Sequence, residues 1–128
     1  MSNPVNVSIP GGRGARFTIV RDSALAQKAD IIIRTTSGAE LTSFSLEANP
    51  NPDPSKETPS HPETRVVEIK GFYHYFNQGY KPSPDGKIVE TSNNGSTTKV
   101  GFDDNGPNDN ASGRDYDFND CVITVTLI

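Results

Sequence analysis

The sequence has one cysteine, no tryptophan and little hydrophobic material, 32% of its 128 residues. A single Cys excludes an intrachain disulfide framework and a Cys-rich zinc site. No apolar run nears the ~18–20 residues that cross a bilayer as a helix, so no membrane insertion is expected. The opening Met1-Ser2-Asn3-Pro4 lacks the basic-then-apolar order of a secretory signal. The expected location is therefore cytoplasmic, or extracellular without a secretory signal peptide. Basic residues are also in the minority, and the net charge is −4. Nucleic acid, which needs a basic patch, is not an expected partner. The length suits one domain, residues 1–128.

What the chain does have is turns and acid. Gly and Pro number 11 and 10, so turns are many and long helices few. The charge is uneven. Residues 101–120 hold six Asp against one Arg, net −5, while the other 108 residues carry 11 bases and ten acids, net +1. The acidity is one local feature.

Short alternating runs recur along the chain. Val5 to Ile9 alternates and stops at Pro10-Gly11-Gly12. Residues 15–21 place Ala15, Phe17 and Ile19 on one face. Residues 29–35 are β-branched. Residues 41–46 and 65–69 are further candidates, and 121–128 puts Cys121, Ile123, Val125 and Leu127 on one face. This pattern predicts an all-β fold, an antiparallel β-sandwich. One helical turn fits residues 23–30. Residues 48–63 contain five Pro and read as a long surface loop, since Pro cannot donate to a central ladder. Residues 71–87 hold five of the ten aromatics: Phe72, Tyr73, Tyr75, Phe76 and Tyr80. They read as a strand pair, with a sugar-stacking or partner surface as the alternative. Cys121 reads as a buried small hydrophobe.

The segment GFDDNGPNDNASGRDYDFND, residues 101–120, adds four Asn to its carboxylates. Hard oxygen donors in such density suit Ca²⁺, which takes six to eight of them. Left without a cation, the carboxylates would repel one another. The segment is no EF-hand. Its sixth position from Asp115 is Asp120 where that loop needs Gly, and its twelfth is Thr126 where it needs Glu. The residues alone leave three readings open: a calcium site, a site for another ion such as Mg²⁺, and a solvated acidic loop.

Asp115-Tyr116-Asp117-Phe118-Asn119-Asp120, then Cys121-Val122-Ile123, resembles the D-x-D-[YF]-N-D-x-V-V signature of the fucose-binding lectin II family, the soluble two-calcium bacterial lectins. Val100-Gly101-Phe102-Asp103-Asp104-x-Gly106 is similar to that family's V-G-S-E-D-G. Ser8-Ile9-Pro10, the run 15–21, Asp22-Ser23-Ala24-Leu25 and the run 29–33 follow its T-L-P … N-S-S-G … V-N-V-L-V. The resemblance is clear over residues 8–33 and 100–125 and weak between them.

It implies two Ca²⁺ ions held by Asp103, Asp115, Asp117, Asn119 and Asp120 with the Asp22 carbonyl, Asp117 and Asp120 bridging. It implies that vicinal hydroxyls of fucose- or mannose-type sugars coordinate those ions directly. Asp22, Ser23, Ala24, Asp104, Asp115 and Asp117 would contact the sugar, with 22–25 as the specificity loop. The partners would be glycans carrying fucose or mannose, and the chain would be a homo-oligomer, dimer or tetramer, with no enzymatic activity. Two bound ions would cancel the net charge of −4. The chain departs from the family pattern in four places. Asp22 stands where the family has Asn, at a position that contributes a backbone carbonyl. Asp103 stands where the family has Glu. Residues 105–114 contain an insertion. The family ends in W-P-[LI]-G, whose terminal carboxylate reaches a neighbour's calcium, whereas here the last residues are Thr126-Leu127-Ile128. Two other functions compete: a calcium-stabilised β-sandwich adhesion or structural module that binds no monosaccharide, and a metal-dependent hydrolase, for which no base stands beside the acidic segment in sequence.

Overall fold

The computed structural model describes residues 3–104, 118 and 120–128. In chain order the strands are β1 (Val5–Ile9), β2 (Ala15–Arg21), β3 (Gln27–Thr35), β4 (Glu40–Ala48), β5 (Lys56–Thr58), β6 (Arg65–His74), β7 (Tyr80–Pro82), β8 (Asp85–Ser92), β9 (Thr97–Asp103) and β10 (Cys121–Leu127). They make two antiparallel sheets. One runs β1-β6-β3-β4 and the other β5-β2-β10-β9-β8. β3 takes one whole edge of β6, so β1 and β7 must share the other. β1 pairs with residues 65–69 and β7 with residues 72–74.

The sandwich follows from period-2 burial. Along β1, β3, β6 and β10, inward side chains alternate with partly exposed ones. Val5, Val7, Ile9, Ile31, Ile33, Leu46, Val67 and Ile69 from one sheet meet Phe17, Ile19, Val100, Phe102, Ile123 and Val125 from the other. Each such side chain contributes about 1.5–3 kcal/mol on burial. The predicted all-β sandwich is the observed fold.

Several strands run longer than the alternation predicted, notably β6, which extends from Arg65 to His74. The helical turn expected over residues 23–30 is absent: 23–25 form a bend and β3 begins at Gln27. Pairing on both edges, with β4 and β6, satisfies the backbone there in a way one isolated turn cannot.

The Pro-rich stretch is also more ordered than a plain loop. Lys56–Thr58 forms β5 at the sheet edge, the one place Pro-flanked chain can pair. The loop is clamped at that end by Arg65, which is buried. Its Nη1 donates to the Pro59 carbonyl at 2.9 Å and its Nη2 to the Arg13 carbonyl. Burial pushes the guanidinium pKa down. Gly12 N donates to the His61 carbonyl at 2.8 Å, closing the same contact.

Phe102 fills the gap between the sheets because two neighbours lack side chains. A Cβ on Gly71 would lie 2.6 Å from its ring, and one on Gly86 2.4 Å. Both distances are well inside van der Waals contact, and a buried ring has little room to move. Gly71→Ala is expected to cost about 1–3 kcal/mol of stability by overpacking, read from urea unfolding. An unchanged midpoint would show that the core yields there.

Candidate functional site

The site begins with register. At its first residue, Cys121 of β10 stands opposite Arg21 of β2 and Phe102 of β9. One residue further, Asp120, Asp22 and Asp103 leave three adjacent strands at the same end. Segments about a hundred residues apart in sequence thus meet by β pairing alone.

Hydrogen bonds lock the meeting point. Asp22 N donates to the Asp120 carbonyl at 2.9 Å. Asp104 N donates to Asp120 Oδ2 at 2.8 Å. Phe118 N donates to Asp103 Oδ1 at 2.9 Å. Ser23 Oγ donates to Asp104 Oδ2 at 2.5 Å, and Leu25 N donates back to Ser23 Oγ at 3.1 Å. Asp103, Asp104 and Asp120 are all buried, while Asp22 and Ala24 are exposed. Burying carboxylates is costly unless hydrogen bonds or a cation offset the loss of water.

Of the residues expected at the site, Asp22, Ser23, Asp103, Asp104 and Asp120 are brought together, with Ala24 beside them. Asp115, Asp117 and Asn119, and the insertion 105–114, lie outside the described residues. Among the described residues, no group of three or more His, Cys, Asp or Glu is placed to hold a metal ion. The donors assembled are nonetheless carboxylate and carbonyl oxygens, the hard set that suits Ca²⁺.

Two participants are new. Gln27 is fully buried, and its Nε2 donates to Asp104 Oδ2 at 3.0 Å and to the Leu25 carbonyl at 3.1 Å. It ties the 22–26 loop to the end of β9. Its signal was present in the sequence: one polar residue at an inward position of the series Gln27, Ala29, Ile31, Ile33. Asp85 is a fourth buried carboxylate, directly opposite Asp103 in the β8–β9 ladder. Nothing in its local sequence marks it.

Gly101 explains part of the acidic motif. A Cβ there would sit 1.9 Å from the Phe118 carbonyl oxygen. Only glycine lets Phe118, itself at φ 57°, fold over β9. Lys87 Nζ caps the Phe118 ring at 4.4 Å from its centroid, a cation–π contact over the segment.

The two histidines make other contacts. His61 belongs to the opposite end, beside Gly12. His74 packs edge-on against Tyr80 at 5.0 Å between centroids. Ile128 also lies at the far end, where it exchanges backbone hydrogen bonds with Gly14. β10 spans the distance between, about 23 Å at ~3.3 Å per residue.

Cys121 is buried as expected, and burial, then the charge of Asp120, pushes its thiol pKa up. A folded thiol of this kind is inert. Ellman's reagent is expected to leave Cys121 unmodified in the native chain and to react with it fully in denaturant. Rapid native labelling would show that this end of β10 opens.

No family model matches the chain, and no curated protein matches it. Solved structures do. The Chromobacterium violaceum lectin CV2L, in complex with α-methyl-fucoside, is 18% identical with a TM-score of 0.57, covering 94% of this chain and 92% of that one. A high-affinity mannose-binding lectin of Ralstonia solanacearum gives 18% identity and 0.56 over the same shares. The C-terminal domain of the BC2L-C lectin of Burkholderia cenocepacia gives 17% and 0.55, covering 98% of this chain and 96% of that one. The resemblance drawn from the motifs is thus met at the level of fold, over nearly the whole chain.

Proposed function

We propose that this chain is a calcium-dependent lectin that binds fucose- or mannose-type monosaccharides. The observation that carries the reading is the Ser23–Asp104–Gln27 hydrogen-bond cluster. It joins the segment that resembles a sugar-specificity loop to the segment that resembles a metal loop. The fold neighbours support the same reading, two of them being described by the fucoside or mannose they bind.

In this reading Asp103, Asp115, Asp117, Asn119 and Asp120, with the Asp22 carbonyl, hold two calcium ions. Those ions would supply open coordination positions that vicinal sugar hydroxyls fill. The chain's own residues do the rest. At the sugar rim Asp104 accepts hydrogen bonds, strengthened by its charge, and Ser23 accepts or donates them. Ala24, exposed on the same loop, offers an apolar contact. The line of the two ions would fix where the hydroxyls lie and so select one axial/equatorial pattern. In this reading the chain assembles as a homo-oligomer, dimer or tetramer.

Chelation tests the metal. EDTA is expected to release the protein from mannose- or fucose-coated beads, and added calcium to restore binding. Full retention in excess EDTA overturns the reading. If calcium raises the melting temperature as RT ln(1 + [Ca²⁺]/Kd) predicts while sugars give no heat, the chain is a calcium-stabilised structural module instead.

A second prediction separates sugar from metal. Gln27→Met keeps the buried volume but removes both donors to Asp104 and Leu25. A hydrogen bond to a charged group is worth about 1.5–3 kcal/mol. Sugar affinity is expected to fall about tenfold with calcium affinity within about twofold, both read by titration calorimetry. Equal loss of both would make Gln27 a purely structural residue.

A further inference from the structure

The proposed sugar site uses none of the five aromatics gathered in residues 71–87, and the structure sorts them by what covers them. Tyr73 is buried in the interior. Lys28 Nζ lies over Phe72 at 4.7 Å and over Tyr80 at 5.0 Å, and Lys70 Nζ lies over Phe72 at 5.4 Å. The Tyr80 hydroxyl donates to Glu47 Oε1 at 2.9 Å, and burial together with that bond pushes its pKa up. Lys81 Nζ lies 5.4 Å from Tyr75. These rings are engaged within the fold.

Phe76 is different. It is 62% exposed, and among the described residues no lysine lies over it. Tyr75 braces it, with centroids 5.0 Å apart at 69°. Its backbone sits at φ 45°, a left-handed conformation uncommon for an aromatic residue and costing on the order of 1–3 kcal/mol. A short 3-10 turn, Phe76–Gln78, holds it there, closed by Tyr75 N to the Gly79 carbonyl at 3.0 Å and Gln78 N to the Tyr75 carbonyl at 2.9 Å. The turn therefore presents an apolar ring to water at some cost. Beyond the contact with Tyr75, most of the ring is left to solvent.

Its position supplies the reason. His74 N, two residues before Phe76, donates to the Ala26 carbonyl at 2.8 Å. Ala26 ends the loop that carries Ser23. The 75–79 turn and the 22–26 loop are thus neighbours at one end of the sandwich. At ~3.6 Å per residue, Phe76 and Ser23 are at most about 23 Å apart, and the turns shorten that. This is the reach of a short oligosaccharide.

We propose that Phe76 is a stacking subsite for the second or third pyranose ring of a neutral oligosaccharide whose terminal residue occupies the Ser23–Asp104 site. The inference rests on the lectin reading. The C–H face of a pyranose is apolar, and an exposed aromatic ring buries it while the hydroxyl edges stay wet. The subsite distinguishes glycans by the second or third residue, beyond the terminal one.

The test compares native protein with Phe76→Ala, using methyl α-mannoside and an α-linked mannotriose, with methyl α-fucoside and a fucosylated trisaccharide in parallel. Phe76 is exposed, so the variant keeps the core intact. Monosaccharide Kd is expected to stay within about twofold, while trisaccharide affinity falls about fivefold. Phe76→Tyr is expected to restore it. An unchanged trisaccharide affinity, an equal loss for monosaccharide and trisaccharide, or a change in oligomeric state in place of affinity overturns the subsite and leaves the lectin reading intact. A native protein that binds neither methyl glycoside overturns the lectin reading and the subsite with it.

Discussion

The pairing of β10 between β2 and β9 is the constraint on which everything else depends. Seven residue pairs to one neighbour and six to the other fix its register. A slip of one residue would turn Cys121, Ile123 and Val125 out of the core and carry Asp120 away from Asp22 and Asp103. The same ladder that places apolar side chains inside thus places carboxylates together at its start. Core and site are one decision of register, and the apolar alternation of the last strand is as much a site determinant as the aspartates.

That arrangement gathers like charge. Asp103, Asp104 and Asp120 are buried, and Asp85 faces Asp103 directly across β8–β9, where like charges oppose one another. Backbone donors from Asp104 and Phe118, with the side chains of Ser23 and Gln27, take up part of the cost. The stabilisation is directional. It orients each carboxylate as well as solvating it, so the hydrogen bonds that make burial tolerable also preorganise the donors. Gly101 belongs to the same economy, since its missing side chain is what allows Phe118 to close over the strand.

Much of this was legible in the sequence, and the limits have physical causes. Alternation marks strands wherever one face is buried and the other wet, so β1, β2, β4 and β10 could be read directly. β5 could not, because three residues among prolines carry no period. The stretch 23–30 invited a helical turn because Ala, Leu, Gln and Lys favour helix locally, and pairing on both edges of β3 overrode that preference. At the site, aspartates clustered in sequence were visible as a cluster. Gln27 was visible only as a polar interruption of an apolar face, and Asp85 was not visible at all. Its role depends on a ladder partner 18 positions away, and pairing of that kind has no local signature.

The two ends of the sandwich hold their buried charges differently. At the acidic end, oxygen donors from three strands converge and the chain holds them by hydrogen bonds. At the other end Arg65 is buried with its Nη atoms on two carbonyls, and its Nε has no partner among the described residues. Its cation fastens the Pro-rich segment to the β1–β2 turn, at the end away from the buried carboxylates. Near-neutral outside residues 101–120, the chain concentrates its electrostatic work at one rim. The turn that exposes Phe76 stands beside that rim, joined to it through Ala26. A charged rim flanked by one uncovered aromatic ring suits a ligand whose first residue offers hydroxyls and whose next residue offers an apolar face.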